Sequence, residues 1–256
     1  MNLIIVAPEE LDPAGAVTLS GGRSRHLTSV LRVTPGQPVR LGILDGPFAT
    51  GVVTSVAAGA VTLHCALDTR VPEMPPVDLL LALPRPKVLQ RLWAQLAALG
   101  VGRILLTNAE RVERNYFDTH VLEAATYRPR LVDGLQQARD TRLPHVTVHR
   151  QFRVLVEDHL AALSDAGVRL VADPSGRLSI GETLGARPAE PAGAEPPPPR
   201  RVLLAIGPEG GWNRFELTLL EAHGFQPVTM GARTLRSDTA CVALLALVHD
   251  AMRRAG

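Results

Sequence analysis

The chain has 256 residues, 46% of them hydrophobic, and a net charge of +2. That is enough apolar material for one large domain or two smaller ones, and it excludes global disorder. The near-neutral balance excludes a general polyanion binder, so any nucleic-acid contact rests on where the arginines stand, not on their number.

The first six residues, Met1-Asn2-Leu3-Ile4-Ile5-Val6, are apolar. They lack a basic lead and run into Glu9 and Glu10, which is not the pattern of a signal peptide. Residues 1 to about 70 read mostly as strands. Val39 to Leu44 alternates apolar and polar residues, and Ala49 to Val56 with Ala60 to Ala66 predicts a hairpin around Ala58-Gly59. One helix interrupts them, with Leu27, Val30 and Leu31 on one face at i, i+3, i+4 spacing. Short strands, turn residues and one helix predict a small barrel. The prolines of Val71-Pro72-Glu73-Met74-Pro75-Pro76 fix φ and remove donors, which puts a domain boundary there, between residues 1–72 and residues 73–256.

Strand and helix alternate beyond it. Val77 to Leu83 is a mostly apolar run suited to a buried parallel strand. Lys87, the only lysine in the chain, opens a helix to Leu99 that stops at Gly100. Arg103 to Leu106 is a strand, and Leu122 to Arg139 a helix interrupted at Pro129. Val146 to Val148 is a strand, Phe152 to Ala166 a helix and Val168 to Ala172 a strand. Residues 186–201 form a proline-rich insertion too polar to pack. Val202 to Ile206 is a strand, Asn213 to His223 a helix, Pro227 to Met230 a strand, and Ser237 to Arg254 a last apolar helix. Alternating β and α predicts a parallel sheet covered on both faces. Cys65 and Cys241 are too isolated to make a disulfide framework or a metal site. The longest uncharged apolar run, Thr239 to Val248, is too short to span a bilayer. The expectation is a soluble, cytoplasmic protein without metal or membrane.

Two loops carry the chemistry. Gly207-Pro208-Glu209-Gly210-Gly211 follows a strand and precedes a helix whose start is marked by Asn213 and Glu216, a capping-box spacing. Its glycines let backbone approach a ligand closely. It has neither the Lys-Ser/Thr of a phosphate loop nor the spacing of a dinucleotide fingerprint. Met230-Gly231-Ala232-Arg233-Thr234-Leu235-Arg236 also follows a strand, with Ser237 placed to cap the last helix. Loops of this kind lie at the carboxyl edge of a parallel sheet, where ligands of α/β proteins bind.

The pairing of Ile206-Gly207-Pro208-Glu209-Gly210-Gly211-Trp212 with Met230 to Ala240 resembles the SPOUT methyltransferases, and among them the RsmE type, which methylates N3 of a uridine in small-subunit ribosomal RNA. Arg25-His26-Leu27-Thr28-Ser29-Val30-Leu31-Arg32 is similar to that family's N-terminal signature, and Leu83-Pro84-Arg85-Pro86-Lys87 to its first strand-end loop. Leu135-Gln136-Gln137-Ala138-Arg139 with Leu143-Pro144 is similar to its middle segment. The chain departs from the family's common pattern at Gln136 and Asp238, where glutamate is usual, and at Ala98-Leu99-Gly100, where the first residue is usually acidic.

The resemblance implies a C-terminal α/β domain with a trefoil knot, a PUA-like N-terminal β-barrel, a homodimer, S-adenosyl-L-methionine as cofactor, and 16S rRNA or the small ribosomal subunit as partner. It places the cofactor on Leu83, Ile206, Gly207, Pro208, Gly210, Gly211, Met230, Gly231, Leu235 and Thr239. Arg236 is expected to stabilise the uracil anion. Glu209 has two open roles, proton acceptor or partner of backbone N–H groups in its own loop. RNA contacts are expected from Arg23, Arg25, His26, Arg32, Arg111, Arg114 and Arg139, with Arg128 and Arg130 beside them. The face Val242, Leu245, Val248 and Met252 serves its own sheet, a dimer, or both. A ribose 2′-O methyltransferase and a non-catalytic RNA-binding assembly factor are the competing functions.

Overall fold

The computed structural model describes residues 3–57, 59–185 and 201–255. The chain forms two compact units, Met1–Met74 with Val132–Leu143, and Pro75–Leu131 with Pro144–Gly256. The proline-rich insertion lies outside the described residues, apart from Arg201.

In the first unit, β1 (Ile4–Val6), β2 (Ala16–Leu19), β3 (Pro38–Ile43), β4 (Phe48–Ala57) and β5 (Ala60–Leu67) form one sheet in the order β1-β3-β4-β5-β2. β1 runs parallel to β3 and the other pairs are antiparallel. Alternation sends Val39, Leu41, Val53 and Leu63 inward, onto Leu27 from the helical segment. Leu41 packs so closely over β4 that a Cβ on Gly51 would stand 2.6 Å from its Cδ1, so any larger residue there would force Leu41 to move.

Helix α1 (Gly21–Arg25) continues into a π-helical turn, His26–Val30. Of the predicted apolar face only Leu27 is buried; Val30 is 65% exposed and Leu31 49%. The wide turn is the reason. Leu31 N–H reaches His26 O at 3.1 Å, five residues back, which rotates positions 30 and 31 away from where a 3.6-residue period would put them. The segment Val132–Leu143 is held in this unit at the β3–β4 turn. Thr141 Oγ1 donates to Gly46 O at 2.6 Å, and Leu143 N–H donates to Asp45 Oδ1 at 2.9 Å.

The second unit is built on β6 (Val77–Ala82), β7 (Val101–Thr107), β8 (His145–His149), β9 (Val168–Ala172), β10 (Val202–Ile206) and β11 (Phe225–Val228). All pairings are parallel, in the order β11-β9-β10-β6-β7-β8. β6 and β10 are buried along their whole length, which is why they read as apolar runs, broken only by Asp78 in β6. Helix α2 (Pro86–Ala98) ends at Gly100, φ +74, as its glycine predicts.

Helix α3 (Ala124–Ala138) runs unbroken through Pro129, contrary to the predicted interruption. Pro129 removes one backbone donor near the first turns, and buried Leu131 and Leu135 hold the helix regardless. The predicted helix from Phe152 to Ala166 is α4 (Phe152–Val154), a π-helical turn (Leu155–His159) and α5 (Leu160–Leu163). It stops early because the Ser164 side chain turns into the sheet. Helix α6 (Ile180–Gly185) was not foreseen; α7 (Arg214–Ala222) was. The last helix, α8 (Ser237–Ala255), buries Cys241, Leu244, Leu245 and Val248. Val242 is 37% exposed, so the core-facing stripe is rotated from the predicted one.

One buried charge was missed in the apolar run of β6. Asp78 is fully buried and accepts from Arg201 Nη1 at 2.7 Å, Ser164 Oγ at 2.9 Å and Arg103 Nη1 at 3.2 Å. These partners tie the amino ends of β6, β7 and β10 to the residue that ends α5. Removing Asp78 takes the buried acceptor from Ser164 and leaves Arg103 and Arg201 only the exposed Asp165 as a carboxylate partner among the described residues. Asp78→Ala is expected to lower unfolding free energy by about 3 kcal/mol, measured by urea titration against wild type.

Candidate active site

The carboxyl ends of β9, β10 and β11 meet around one cleft. Its walls are Ala172 to Pro174 after β9, the glycine loop after β10, and the Thr229 to Leu235 loop after β11, closed by Ser237, Ala240 and Leu244 of α8. Of the residues predicted to hold a cofactor, Ile206, Gly207, Pro208, Gly211, Met230, Gly231 and Leu235 line this cleft. Leu83, Gly210 and Thr239 are outside its walls. Leu83 is buried and its N–H donates to Thr107 O at 2.8 Å, Gly210 turns its carbonyl to Arg111, and Thr239 is exposed on the first turn of α8.

Each loop has a local reason for its path. Gly211 and Gly231 have φ of +73 and +102, the region that favours glycine. Gly207 lies against the Trp212 indole, with the position of an added Cβ only 3.1 Å from Nε1. The β9 loop is an Asx turn, Ser175 N–H donating to Asp173 Oδ1 at 2.8 Å. Gly176 lets that turn press on β11, since a Cβ there would stand 2.7 Å from the Val228 carbonyl carbon. Sequence reasoning passed over this third loop. The available signal was its position: it ends a parallel strand, and Asp173-Pro174-Ser175-Gly176 is a turn sequence.

The glycine loop is braced from β7. Asn213 caps α7, its side chain accepting from Glu216 N–H at 2.8 Å while Glu216 Oε2 accepts from Asn213 N–H at 2.7 Å. The other oxygen of the buried Glu216 accepts from Glu110 N–H at 2.7 Å, joining the loop after β7 to the one after β10. Arg111 completes the joint, its guanidinium donating to Gly210 O. Arg111, expected to contact RNA, is exposed and also bonds the glycine loop.

The two proposed chemical groups stand differently. Glu209 lines the cleft and is exposed, and its Oε1 accepts from Ser237 Oγ at 3.1 Å. So its partner is that hydroxyl, not the backbone of its own loop. Ser237 does not cap α8; its side chain is turned to Glu209, and the carbonyl of Arg236 receives the first helical bond, from Ala240 N–H at 2.8 Å. Arg236 is exposed at the head of α8, beside the cleft but not in its wall, whereas Arg233 is in the wall. Neither arginine forms an ion pair among the described residues.

Asp238 accepts from Arg91 Nη2 at 3.1 Å, tying α8 to α2, and Gln136 is buried in the first unit. Burial pushes the Cys241 thiol up to about 12, which leaves it inert. No cluster of metal-ligating side chains is present among the described residues, and none of their helices is long and apolar enough to cross a membrane.

The remaining predicted RNA contacts divide by unit. In the first, Arg25, Arg32 and Arg139 are exposed, the last two with positive φ. His26 is half-buried. Arg23 is committed elsewhere: it forms a two-pronged pair with Glu10 and donates to Ile5 O at 3.2 Å. In the second unit Arg114, Arg128 and Arg130 are exposed.

A parallel sheet with a cleft made by three glycine-bearing strand-end loops agrees with the SPOUT-type methyltransferase fold that the sequence resembles. Comparison with known proteins narrows the class. Residues 72–249 match the family model described as RNA methyltransferase domain. The chain is 30% identical over 252 residues to the ribosomal RNA small subunit methyltransferase E of Treponema pallidum, covering 97% of this chain and 90% of that protein. It is 29% identical to the protein of that name from Synechocystis, covering 96% and 76%. In fold it is similar to the methyltransferase E of Neisseria gonorrhoeae, a structure solved bound to S-adenosyl methionine, with a TM-score of 0.72, 23% identity, and coverage of 98% and 97%. The chain belongs to the RNA methyltransferase family and, within it, to the RsmE-type ribosomal RNA methyltransferases.

Two predictions test the bracing. Glu216→Ala leaves two backbone donors without their acceptor and is expected to cost about 2 kcal/mol of stability, with faster hydrogen exchange at the Glu110 and Asn213 amides. Arg23 holds the Glu10 carboxyl below its usual range, chiefly through their hydrogen bond. A depressed carboxylate pKa contributes stability above the unfolded value, lost as pH falls through the folded one. Arg23→Ala should therefore flatten the decline in melting temperature below about pH 4.5 and leave the neutral-pH salt dependence of RNA binding unchanged.

Proposed function

We propose that this protein transfers a methyl group from S-adenosyl-L-methionine to N3 of a uridine in 16S rRNA, on the small ribosomal subunit. The observation that carries the proposal is the convergence of Gly207, Gly211 and Gly231 with Ile206, Met230 and Leu235 in one cleft. The residues suit this cofactor. Gly211 and Gly231, with positive φ, would offer backbone groups to a polar part of the cofactor, and Ile206, Met230 and Leu235 would offer it an apolar wall. The bound cofactor supplies an activated sulfonium methyl. The chain's own task is to bring N3 in line with it and remove the N3 proton.

Glu209, whose other contact is the Ser237 hydroxyl, would accept the N3 proton as the base takes the methyl. Arg236 faces the negative charge that develops on the uracil carbonyls. The exposed arginines Arg25, Arg32, Arg139, Arg114, Arg128 and Arg130 contact phosphates. Val242 and Leu247, exposed on α8, support a homodimer. The cytoplasm, where small subunits are assembled, is the place of action.

The test is methylation of small subunits and naked 16S RNA, with the methyl located by mass spectrometry. A methylated base nitrogen is the expected result; a methylated ribose would move the protein to 2′-O chemistry, and no methyl with cofactor bound would make it an assembly factor. In single turnover, Arg236→Ala and Glu209→Gln should each slow transfer roughly a hundredfold without weakening cofactor binding. Full rate in both variants would remove them from the chemistry.

A further inference from the structure

Trp212 is buried to 4% exposure directly beneath Gly207, although it lines no part of the cleft. The place of a Cβ on Gly207 is hemmed in by the Trp212 indole, 3.1 Å from Nε1 and 3.2 Å from Cδ1. The ring therefore acts as a floor that sets how far Gly207 sinks from the cleft. The floor is itself supported, since the indole packs on Phe152 with ring centroids 5.3 Å apart at 33°. Phe152 opens α4 and is buried. On its other side Trp212 precedes Asn213, the cap locked by Glu216. Rigid neighbours on both sides leave the indole little room to yield. Its Nε1–H is buried and has no hydrogen-bond partner among the described residues, so its contribution here is ring bulk and not a hydrogen bond.

We propose that Trp212 is a positioning residue for the cofactor, acting through Gly207: the ring sets the height of the glycine backbone that contacts S-adenosyl-L-methionine, and binding is felt by the ring in return. This rests on the assignment of the cleft to that cofactor. A shorter side chain lets Gly207 sink and spoils backbone contacts made to a tolerance of a fraction of an ångström. A ring of similar width without the N–H keeps them.

The experiment is calorimetric titration of the purified full chain with S-adenosyl-L-methionine, beside tryptophan fluorescence and thermal melts. Wild type comes first, and absence of binding there would overturn the cofactor assignment itself. Given binding, Trp212→Leu is expected to weaken it by about tenfold, the lower end of what losing an outer-shell support costs. Trp212→Phe should bind within about threefold of wild type, by the same reckoning. The change in tryptophan emission on adding cofactor should be present in wild type and absent from Trp212→Phe, which retains only Trp93, buried against Tyr127. A purely structural role would lower the melting temperature of Trp212→Leu but leave the affinity of the folded fraction unchanged. That result, or an undiminished emission change in Trp212→Phe, would overturn the inference. If Trp212→Leu does not fold, Phe152→Leu takes its place: weakened cofactor affinity in that folded variant is expected, and unaltered affinity would overturn the inference.

Discussion

The site depends on one buried carboxylate. Glu216 spends one oxygen on its own helix cap and the other on Glu110 N–H, in a loop from a different strand. The cap bond is local, but the second requires α7 to start within a hydrogen bond of the chain leaving β7. A glycine loop has the freedom to approach a ligand and, for the same reason, the freedom to move. The carboxylate removes that freedom at the helix end, Arg111 removes it at Gly210, and Trp212 removes it from below. What remains is a backbone held from three sides with its fourth side open to the cleft. The order of causes runs from the capping box, legible at Asn213 and Glu216, to a joint between loops that no local pattern announces.

The sheet separates stability from function along its strands. At the amino ends, Asp78 is closed in by Arg201, Arg103 and Ser164 with no solvent access. At the carboxyl ends, polar groups are left facing an open cleft. A paired buried charge is expensive to disrupt, so the amino edge fixes strand register. The carboxyl edge is then free to carry glycines and exposed arginines that contribute little to folding. The cleft lies among β9, β10 and β11 and not at the β6–β10 boundary, where the strand order turns back on itself. The switch-point rule for α/β sheets thus gives the correct edge but not the correct strands. The β9 loop is the reason: Gly176 allows it to lie against β11 and close the third wall.

Much of this was legible in the sequence where spacing and chemistry coincide. The parallel strands, the α7 cap and the pairing of the two glycine loops all follow from residues within a few positions of one another. Three kinds of feature did not follow. In α8, Ala, Leu and Val are so frequent that two stripes fit a helical period. The structure selects the one containing Cys241 and Leu244, whose side chains fit the space over the sheet. In the N-terminal helix the apolar spacing was real but the turn was π, so Val30 and Leu31 left the face they were assigned. The third kind is long-range pairing: Asp78 with Arg201, Arg111 with Gly210, Arg23 with Glu10, and the return of Val132–Leu143 to the first unit. An arginine's charge is visible in a sequence, but its partner is not. For this reason sequence alone did not show that Arg23 and Arg111, both read as RNA contacts, also bond within the chain.

The arginines that are not braces stand where the backbone disfavours them. Arg233 and Arg236 precede a helix of 19 residues, whose amino end carries partial positive charge. A cation there works against the helix, and the acid that suits the position is already present as Asp238 in the first turn. Helix stability therefore does not explain the two arginines, and no ion pair among the described residues does so either. The arrangement becomes favourable once a negative charge forms in front of it, because helix end and guanidinium groups then attract the same charge. Uracil losing its N3 proton acquires such a charge, spread over the flanking carbonyls. Under the proposed reaction, a site organised this way would be neutral toward the ground-state base and complementary to the anion, which is the condition under which binding energy lowers a barrier instead of merely holding substrate.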